Sequence, residues 1–313
     1  MTASVLRSGA TAPPSRGSRG GPAGVGLWPI LFVGPLLLGV LVFYYYPIVA
    51  NVFTSFTSTN AFGGNQKFVG LANYQDLFQR SDLPSAIGNT LFYTAVVLLA
   101  VPLSVGIASL IELPGLKGRS LYRVLFFMPY LAMPVAIAQV FRVFFNGNFG
   151  LLNQGLKALG ISEPPYWLST PGFAMVAVAL FGIWTSIGFN VIILSAGLKA
   201  IPRELYEAAA IDGAGAWRQF RSVTVPLLTP SIFFLTIMQA IGGFQLFDSL
   251  FALMGRGNPA LPYSRSLVYL FYDEAFVKQN RGGGAAIAIV ILLLVAIVTG
   301  IQFWGQKKWV NYV

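Results

Sequence analysis

Six runs of this chain are each long and apolar enough to cross a bilayer, and they limit what else it can be. Crossing about 30 Å of hydrocarbon takes about 20 residues in a helix. The runs are Leu27–Ala50, Asn89–Ile111, Leu121–Phe145, Phe173–Leu198, Pro230–Met254 and Ala285–Trp304. The first is too long for the apolar core of a secretory signal, and no A-x-A-like site follows it. Hydrophobic residues make up 56% of the chain and charged residues 10%, against about a quarter charged in soluble domains. Cysteine and histidine are absent, which excludes disulfides, thiol nucleophiles, imidazole bases and zinc sites built from them. No catalytic residue and no metal ligand set is expected.

The net charge of +10 is scattered over span ends and not gathered into a stripe, so nucleic acid is not an expected partner. The basic residues read instead as topology signals. Twelve lie on the side of the N-terminal tail and eight on the other, which puts both termini in the cytoplasm. Residues 1–26 carry Pro13-Pro14, several Gly and Ser, three Arg and no acid, the composition of a disordered cytoplasmic tail. Residues 27–313 then form one transmembrane domain. The last outer loop, with Arg256, Arg265, Lys278 and Arg281, runs against the charge rule. Its aromatic stretch Ser266–Phe276 predicts a short helix tucked against the outer face.

Between the fourth and fifth runs lies a polar island, Glu204 to Arg221, with the pattern of a helix, a glycine break and a second helix. Pro202 suits a first helical turn, and Glu204 and Glu207 follow where the helix dipole favours negative charge. Gly213 supplies the stop, where a positive φ is expected. Trp217 and Phe220 fall three apart on one face, and Pro226 marks re-entry into the membrane. The island is a short amphipathic bracket beside the bilayer.

Glu207-Ala208-Ala209, then Gly213, then Val223-Thr224-Val225-Pro226 resembles the "EAA loop" of binding-protein-dependent, ATP-driven importers. Val223 and Val225 stand where Ile and Leu are usual. Other segments agree with that family. Lys67-Phe68-Val69-Gly70-Leu71-Ala72-Asn73-Tyr74 resembles the F-V-G-L-x-N-Y signature in the first permease of maltose- and glycerol-phosphate-type carbohydrate importers. Asn89-Thr90, Phe127-Met128-Pro129-Tyr130 and the start Gly282-Gly283-Gly284-Ala285-Ala286 sit where the family has similar steps.

The resemblance implies an all-α membrane protein with six transmembrane helices of the type I ATP-binding-cassette importer permease (MetI-like) fold, with the coupling loop at 199–226. It implies coupling to an ATPase through Glu207, Ala208, Ala209, Asp212, Gly213, Trp217 and Phe220. The implied partners are a second permease subunit, two ATPase subunits, an extracytoplasmic solute-binding protein and membrane lipid, in a bacterial or archaeal cell (inner) membrane. No cofactor is expected on this chain, since ATP and magnesium would sit on the ATPases. The nearest approach to a P-loop, Gly150 to Gly155, continues as Leu156-Lys157 and lacks the Gly-Lys-Ser/Thr end. Gly182, Gly188, Gly242 and Gly243 read as close helix packing rather than phosphate cradles.

Polar side chains within spans are costly unless they face protein or water, so they mark candidate solute contacts. The fourth run offers Trp184, Thr185, Ser186 and Asn190, the fifth Gln239, Gln245 and Asp248, and the third Gln139 and Arg142. Thr185 and Ser186 also suit bonds to their own helix backbone. Gln245 and Asp248 lie three apart on one predicted helix, with Phe244 and Phe247 on the adjoining face, a mixture that suits a sugar ring. The expected solute site is therefore Ser186, Phe189, Asn190, Phe244, Gln245 and Asp248. The competing reading pairs Asp248 with Arg142 or Arg256 as a lock near the outer surface. An ion-coupled secondary carrier is the alternative class, with Asp248 as the only acid inside a proposed span to couple ions. The loop signature leans towards a carbohydrate or polyol phosphate, and opines, peptides and other polar solutes stay open.

If the bracket is cytoplasmic, a cysteine at Arg218 is protected from membrane-impermeant reagents added outside intact cells and reacts once the membrane is permeabilised. Labelling from outside overturns this topology.

Overall fold

Prolines decide where these helices bend. The computed structural model describes residues 28–58 and 67–310, so the expected tail at 1–26 lies outside the described residues. Among the described residues, four helices are long and apolar enough to cross a membrane: Ile30–Ser55, Asp82–Ile111, Phe173–Ala200 and Arg281–Lys308. Two bent pairs bring the number to six, Arg119–Leu131 with Pro134–Phe144 at 98° and Ala216–Leu227 with Thr229–Phe244 at 65°. The chain divides into two units, residues 1–50 and 51–313.

In the first unit, helix Trp28–Val40 widens to a π turn over Leu41–Tyr45 before α-helix resumes at Tyr46. The turn ends two residues before Pro47, whose ring would press on the carbonyl of Phe43 in a regular helix.

The second unit contains the remaining spans. The second span pauses at Leu98 and Leu99 between helices Asp82–Val97 and Ala100–Ile111. Pro102 has no N–H to offer the Leu98 carbonyl, which accepts from the Val101 N–H at 3.0 Å instead. The third span, expected as one helix over Leu121–Phe145, is broken. Ala132 and Met133 adopt extended ψ of 149° and 124°, because a residue before proline avoids the α region and Pro134 opens a new helix.

The fifth span, expected as one helix over Pro230–Met254, also departs from expectation. It ends at Phe244, and a separate helix begins at Asp248. The Ser266 hydroxyl donates to the Leu246 carbonyl in the gap, so the backbone group released by the break is satisfied from another segment. Gln245 and Asp248 therefore do not share a helix, and the common face inferred for them does not exist.

The fourth span, Phe173–Ala200, is the central element of this unit. Its buried residues, from Ala174, Met175, Ala177 and Val178 to Val191, Leu194 and Ser195, cover more than one face, as in a helix surrounded by protein. Its glycines set the distances to its neighbours. A Cβ on Gly182 would lie 2.5 Å from the Tyr93 hydroxyl, one on Gly188 2.3 Å from the Phe126 carbonyl oxygen, and one on Gly197 2.7 Å from the Ser231 hydroxyl. The second, third and fifth spans are thus each admitted closely by a different glycine. Gly243 plays the same part against Thr94, whereas Gly242 faces open space. Buried hydroxyls at Thr90, Thr94 and Ser104 bond carbonyls four residues back in their own helices.

At the end opposite the bracket, the F-V-G-L-A-N-Y segment clips the close of the first span. Asn73 donates to the Ser55 and Thr57 carbonyls at 2.8 and 2.9 Å, and the Tyr74 hydroxyl donates to Ser55 Oγ at 2.7 Å. Residues Thr57–Ser58 and Lys67–Phe68 pair as two short antiparallel strands. The Asn89-Thr90 pair holds the segment before the last span: Asn89 donates to the Tyr263 and Arg265 carbonyls, and Thr90 Oγ1 accepts from the Leu267 N–H. That segment folds as a helix, Leu267–Tyr272, with Leu267, Tyr269 and Leu270 buried, as its sequence suggested.

Glu274 gathers Arg80 at 2.6 Å, Lys278 at 2.9 Å and Asn280 at 2.9 Å. Burial pushes its carboxyl up, but the hydrogen bonds of Lys278, Arg80 and Asn280 and the Arg80 charge outweigh it and hold the group below the ordinary glutamate range. Gly282, Gly283 and Gly284 then let the last span start against Thr57, Asn280 and Ala275 respectively.

Gly188→Ala should destabilise the purified protein by about 1–3 kcal/mol, since its Cβ meets backbone that cannot move away. Gly242→Ala should be neutral or stabilising by up to about 1 kcal/mol from helix propensity. Thermal denaturation of the two variants checks this; equal Tm values would overturn the packing assignment.

Candidate functional site

The bracket is built around one turn. Helix Arg203–Ile211 follows Pro202, which occupies the N-cap and not the first helical turn. At its end the Gly213 N–H bonds the Ala210 carbonyl at 3.0 Å and the Ala214 N–H bonds the Ala209 carbonyl at 2.9 Å. This is a Schellman motif, and it requires the left-handed φ of +75° that Gly213 adopts. Gln219 closes the turn by donating to the Ala214 carbonyl at 3.0 Å. The second helix starts at Ala216 and passes through a π turn at Phe220–Thr224. As in the first span, the π turn ends two residues before a proline, here Pro226.

One side of the bracket is anchored and the other is free. The Tyr206 hydroxyl lies 2.9 Å from Thr224 Oγ1, and Tyr206, Phe220, Val223 and Val225 pack on the core formed by Val191, Leu194 and Leu228. Glu204, Glu207, Ala208 and Ile211 follow the i, i+3, i+4, i+7 spacing of one helical face, and all four are exposed, as is Asp212. Ala209 is half-buried. Trp217 stacks on Phe220 with ring centroids 5.4 Å apart, so those two residues meet as their spacing implied. Ile211 is 87% exposed and Trp217 74%, so this face displays large apolar side chains beside carboxylates, the pattern of an interaction surface. Ile211 was missed from sequence, although the spacing from Glu204 points to it.

The second feature is a cavity of about 250 Å³ at the break in the third span. Tyr130, Ala132 and Pro134 from that break, Thr185, Ser186, Phe189 and Asn190 from the fourth span, and Gln239 and Ser249 line it. The break turns the wall outward and opens the space. Tyr130 stacks on Phe189 with centroids 5.3 Å apart and on Phe127 at 5.5 Å. Thr185 and Ser186 donate to the Phe181 and Gly182 carbonyls of their own helix, leaving their oxygens as acceptors.

Asn190 Nδ2 and Gln239 Nε2 are buried and have no hydrogen-bond partner among the described residues. A buried amide donor without a partner is costly, and here two of them border one cavity. Among the described residues no Asp, Glu, Lys or Arg lines it. A neutral space with amide donors, hydroxyl acceptors and an aromatic face suits a neutral, hydroxylated molecule.

Ser186, Phe189 and Asn190 are thus brought together, while the other expected contacts lie apart from this cavity. Phe244 is buried in protein at 1% exposure. Gln245 is the exposed residue that caps the end of its helix, and Asp248 is exposed at the start of the next. Asp248 is not locked by an arginine: Arg142 donates to Gln139 at 3.2 Å, and Arg256 lies over the Tyr272 ring at 5.3 Å. Gln239, noted as polar but not selected, and Tyr130 and Ser249 take their places. The signal for Tyr130 was Pro134, which disfavours the helical region for the residue before it and so favours a break nearby. Among the described residues no three Asp or Glu side chains gather as metal ligands.

Residues 100–310 match the family described as "Binding-protein-dependent transport system inner membrane component". The chain is 32% identical over 288 residues to the sn-glycerol-3-phosphate transport system permease protein UgpA of Agrobacterium fabrum, covering 91% of this chain and 96% of that one. It is 34% identical over 278 residues to the arabinooligosaccharides transport system permease protein AraP of Bacillus subtilis, covering 88% and 87%. A chain from the crystal structure of a bacterial alginate ABC transporter, in complex with an alginate pentasaccharide-bound periplasmic protein, superimposes with a TM-score of 0.76. It is 21% identical, over 90% of this chain and 95% of that chain, a likeness of fold.

Because the Gln239 donor is unspent, Gln239→Leu should leave the Tm of the purified protein unchanged or raise it. A fall of several degrees would instead make the amide a structural element.

Proposed function

The chain belongs to the family of binding-protein-dependent transport system inner membrane components, and we propose that its central cavity passes a neutral sugar or polyol under the control of the bracket. It is a permease subunit of the ABC importer type, with the six-span fold of that class. In this proposal a binding protein delivers the solute on the extracytoplasmic side. A second permease completes the pathway, and two ATPase subunits hydrolyse ATP on the cytoplasmic side, where the bracket meets them.

One observation carries the reading. The bracket joins the fourth and fifth spans, and those spans supply Phe189, Asn190 and Gln239 to the cavity. A force applied at Ile211 and Trp217 is passed by Tyr206 and Phe220 into the core around Leu194 and Leu228, and from there along rigid helices to the cavity walls. Glu207, Ala208 and Asp212 frame the exposed apolar residues, and Gly213 fixes the angle between the two helices.

The relatives named for arabinooligosaccharides and sn-glycerol-3-phosphate support a hydroxylated cargo. The uncharged lining favours the sugar over the phosphate ester, because a buried anion without a cation is strongly disfavoured. An ion-coupled carrier finds no support in this cavity, which has no carboxylate to bind the coupling ion.

The test is uptake by the complete transporter in reconstituted vesicles, with ATP inside and solute-loaded binding protein outside. Gln239→Leu should lower solute-dependent uptake roughly 5- to 150-fold, the equivalent of about 1–3 kcal/mol, while basal ATP hydrolysis persists. Gly213→Val should assemble poorly or uncouple, because a β-branched residue disfavours φ of +75°. Normal uptake by Gln239→Leu removes the cavity from the pathway, and normal binding-protein-stimulated ATP hydrolysis by Gly213→Val removes the bracket from coupling.

A further inference from the structure

A second cavity, of about 300 Å³, lies at the end opposite the bracket. Its polar lining comes from Arg142 on the last turn of helix Pro134–Phe144, Asn146 and Asn148 in the following turn, Tyr166, Ser169 and Asn258. It is separated from the central cavity by aromatic rings. Phe141 packs against Phe145 of this cavity at 5.7 Å and against Phe181 of the central one at 5.0 Å.

The walls are rigid for physical reasons. Asn153 donates to the Gly147 and Pro165 carbonyls at 2.8 and 3.1 Å and accepts from the Trp167 indole at 2.7 Å. The Tyr166 ring lies so close to Gly147 that a Cβ there would be 2.1 Å from its Cδ1. The turn and the aromatic wall are therefore held in one arrangement.

The chemistry of the lining is one-sided. Asn146 Oδ1 accepts the Asn148 and Phe149 N–H groups at 2.9 and 3.2 Å. Asn148 Oδ1 accepts the Tyr166 hydroxyl at 3.1 Å, and Asn258 Oδ1 accepts the Ala260 N–H at 2.9 Å. These bonds orient all three amides and use their oxygens, so their NH2 groups are the part left to offer. Among the described residues Arg142 has one neutral partner, Gln139, and forms no ion pair, unlike Arg80, Arg123, Arg265 and Lys278. Among the described residues no Asp or Glu lines the cavity.

We propose that this second cavity is a binding site for a small hydroxylated anion, a sugar acid or sugar phosphate of about monosaccharide size. A guanidinium and three amide donors match the acceptor oxygens of a carboxylate or phosphate, while Tyr166 offers a ring face to the C–H groups of a sugar. A volume at the small end of the range for ligand pockets suits one such unit. The site goes beyond the proposed central pathway and does not depend on it, since the two cavities share no residue.

The experiment is isothermal titration of the full-length chain, purified in detergent with the subunits that accompany it, against glucuronate, glucose 6-phosphate and glucose. At least one of the two anions should bind 10-fold or more tightly than glucose, and more weakly as salt is raised. The stronger anion identifies whether carboxylate or phosphate is preferred. Arg142→Gln should weaken that binding at least 10-fold. Asn258→Asp keeps the oxygen that accepts the Ala260 N–H but replaces a donor with a negative acceptor, and should weaken it similarly without loss of fold. Gln239→Leu should leave it unchanged.

Equal binding of anions and glucose, or anion binding that survives Arg142→Gln, overturns the proposal. So does the absence of anion binding together with an Arg142-dependent, salt-sensitive affinity for the binding protein, which would give the cavity to an acidic side chain of that partner.

Discussion

Inside a membrane a backbone carbonyl that loses its helical donor finds no water, so another group must supply the hydrogen bond. Prolines create that situation repeatedly in this chain, and the local solutions make its shape. Val101 answers for Pro102 at the Leu98 carbonyl. The Thr229 hydroxyl donates at 2.7 Å to the Pro226 carbonyl, which Pro230 cannot reach. A break that involves no proline is met in the same way, by the Ser266 hydroxyl donating from another segment to the Leu246 carbonyl. Where the chain instead abandons the helix, at Ala132 and Met133, the wall turns by 98° and the central cavity opens.

Around these breaks the fourth span acts as a straight reference. Gly182, Gly188 and Gly197 bring three neighbours close enough that backbone or hydroxyl atoms would touch a Cβ. Without a hydrophobic drive between helices in lipid, such close packing is a main source of cohesion. It also makes the bundle a poor absorber of displacement, because tightly packed interiors transmit strain rather than dissipate it. A bracket anchored by Tyr206 and Phe220 on the same core is well placed to use that property.

The two cavities differ in a way that follows from their surroundings. The central one borders buried helix faces, and its lining is neutral, with the Asn190 and Gln239 donors held in reserve. The second is formed by turns near the end of the bundle opposite the bracket, where Arg142 can be exposed and charged at little cost. Phe141 and its aromatic neighbours stand between them.

Much of this protein was legible before its structure. Apolar run lengths fix the spans, because the bilayer sets their length. The bracket's turn was legible because a Schellman motif needs a residue free to take positive φ, and Gly213 meets that local requirement. Asn73, Tyr74, Asn89 and Thr90 stood out as a signature, but their work as clips on Ser55 and on Tyr263 to Leu267 needed coordinates. The lining of the central cavity was only half legible. Ser186, Phe189 and Asn190 lie on one unbroken helix, where spacing predicts direction. Gln245 and Asp248 were read on a helix that stops at Phe244, and their shared face vanished with it. Periodicity holds only while a helix continues, and where this one stops Gly243 packs on Thr94 and Ser266, twenty residues away, bonds the Leu246 carbonyl. Local sequence determined the elements and their caps; which side chains share a cavity was decided by where separate helices break against each other, a matter only tertiary contacts settle.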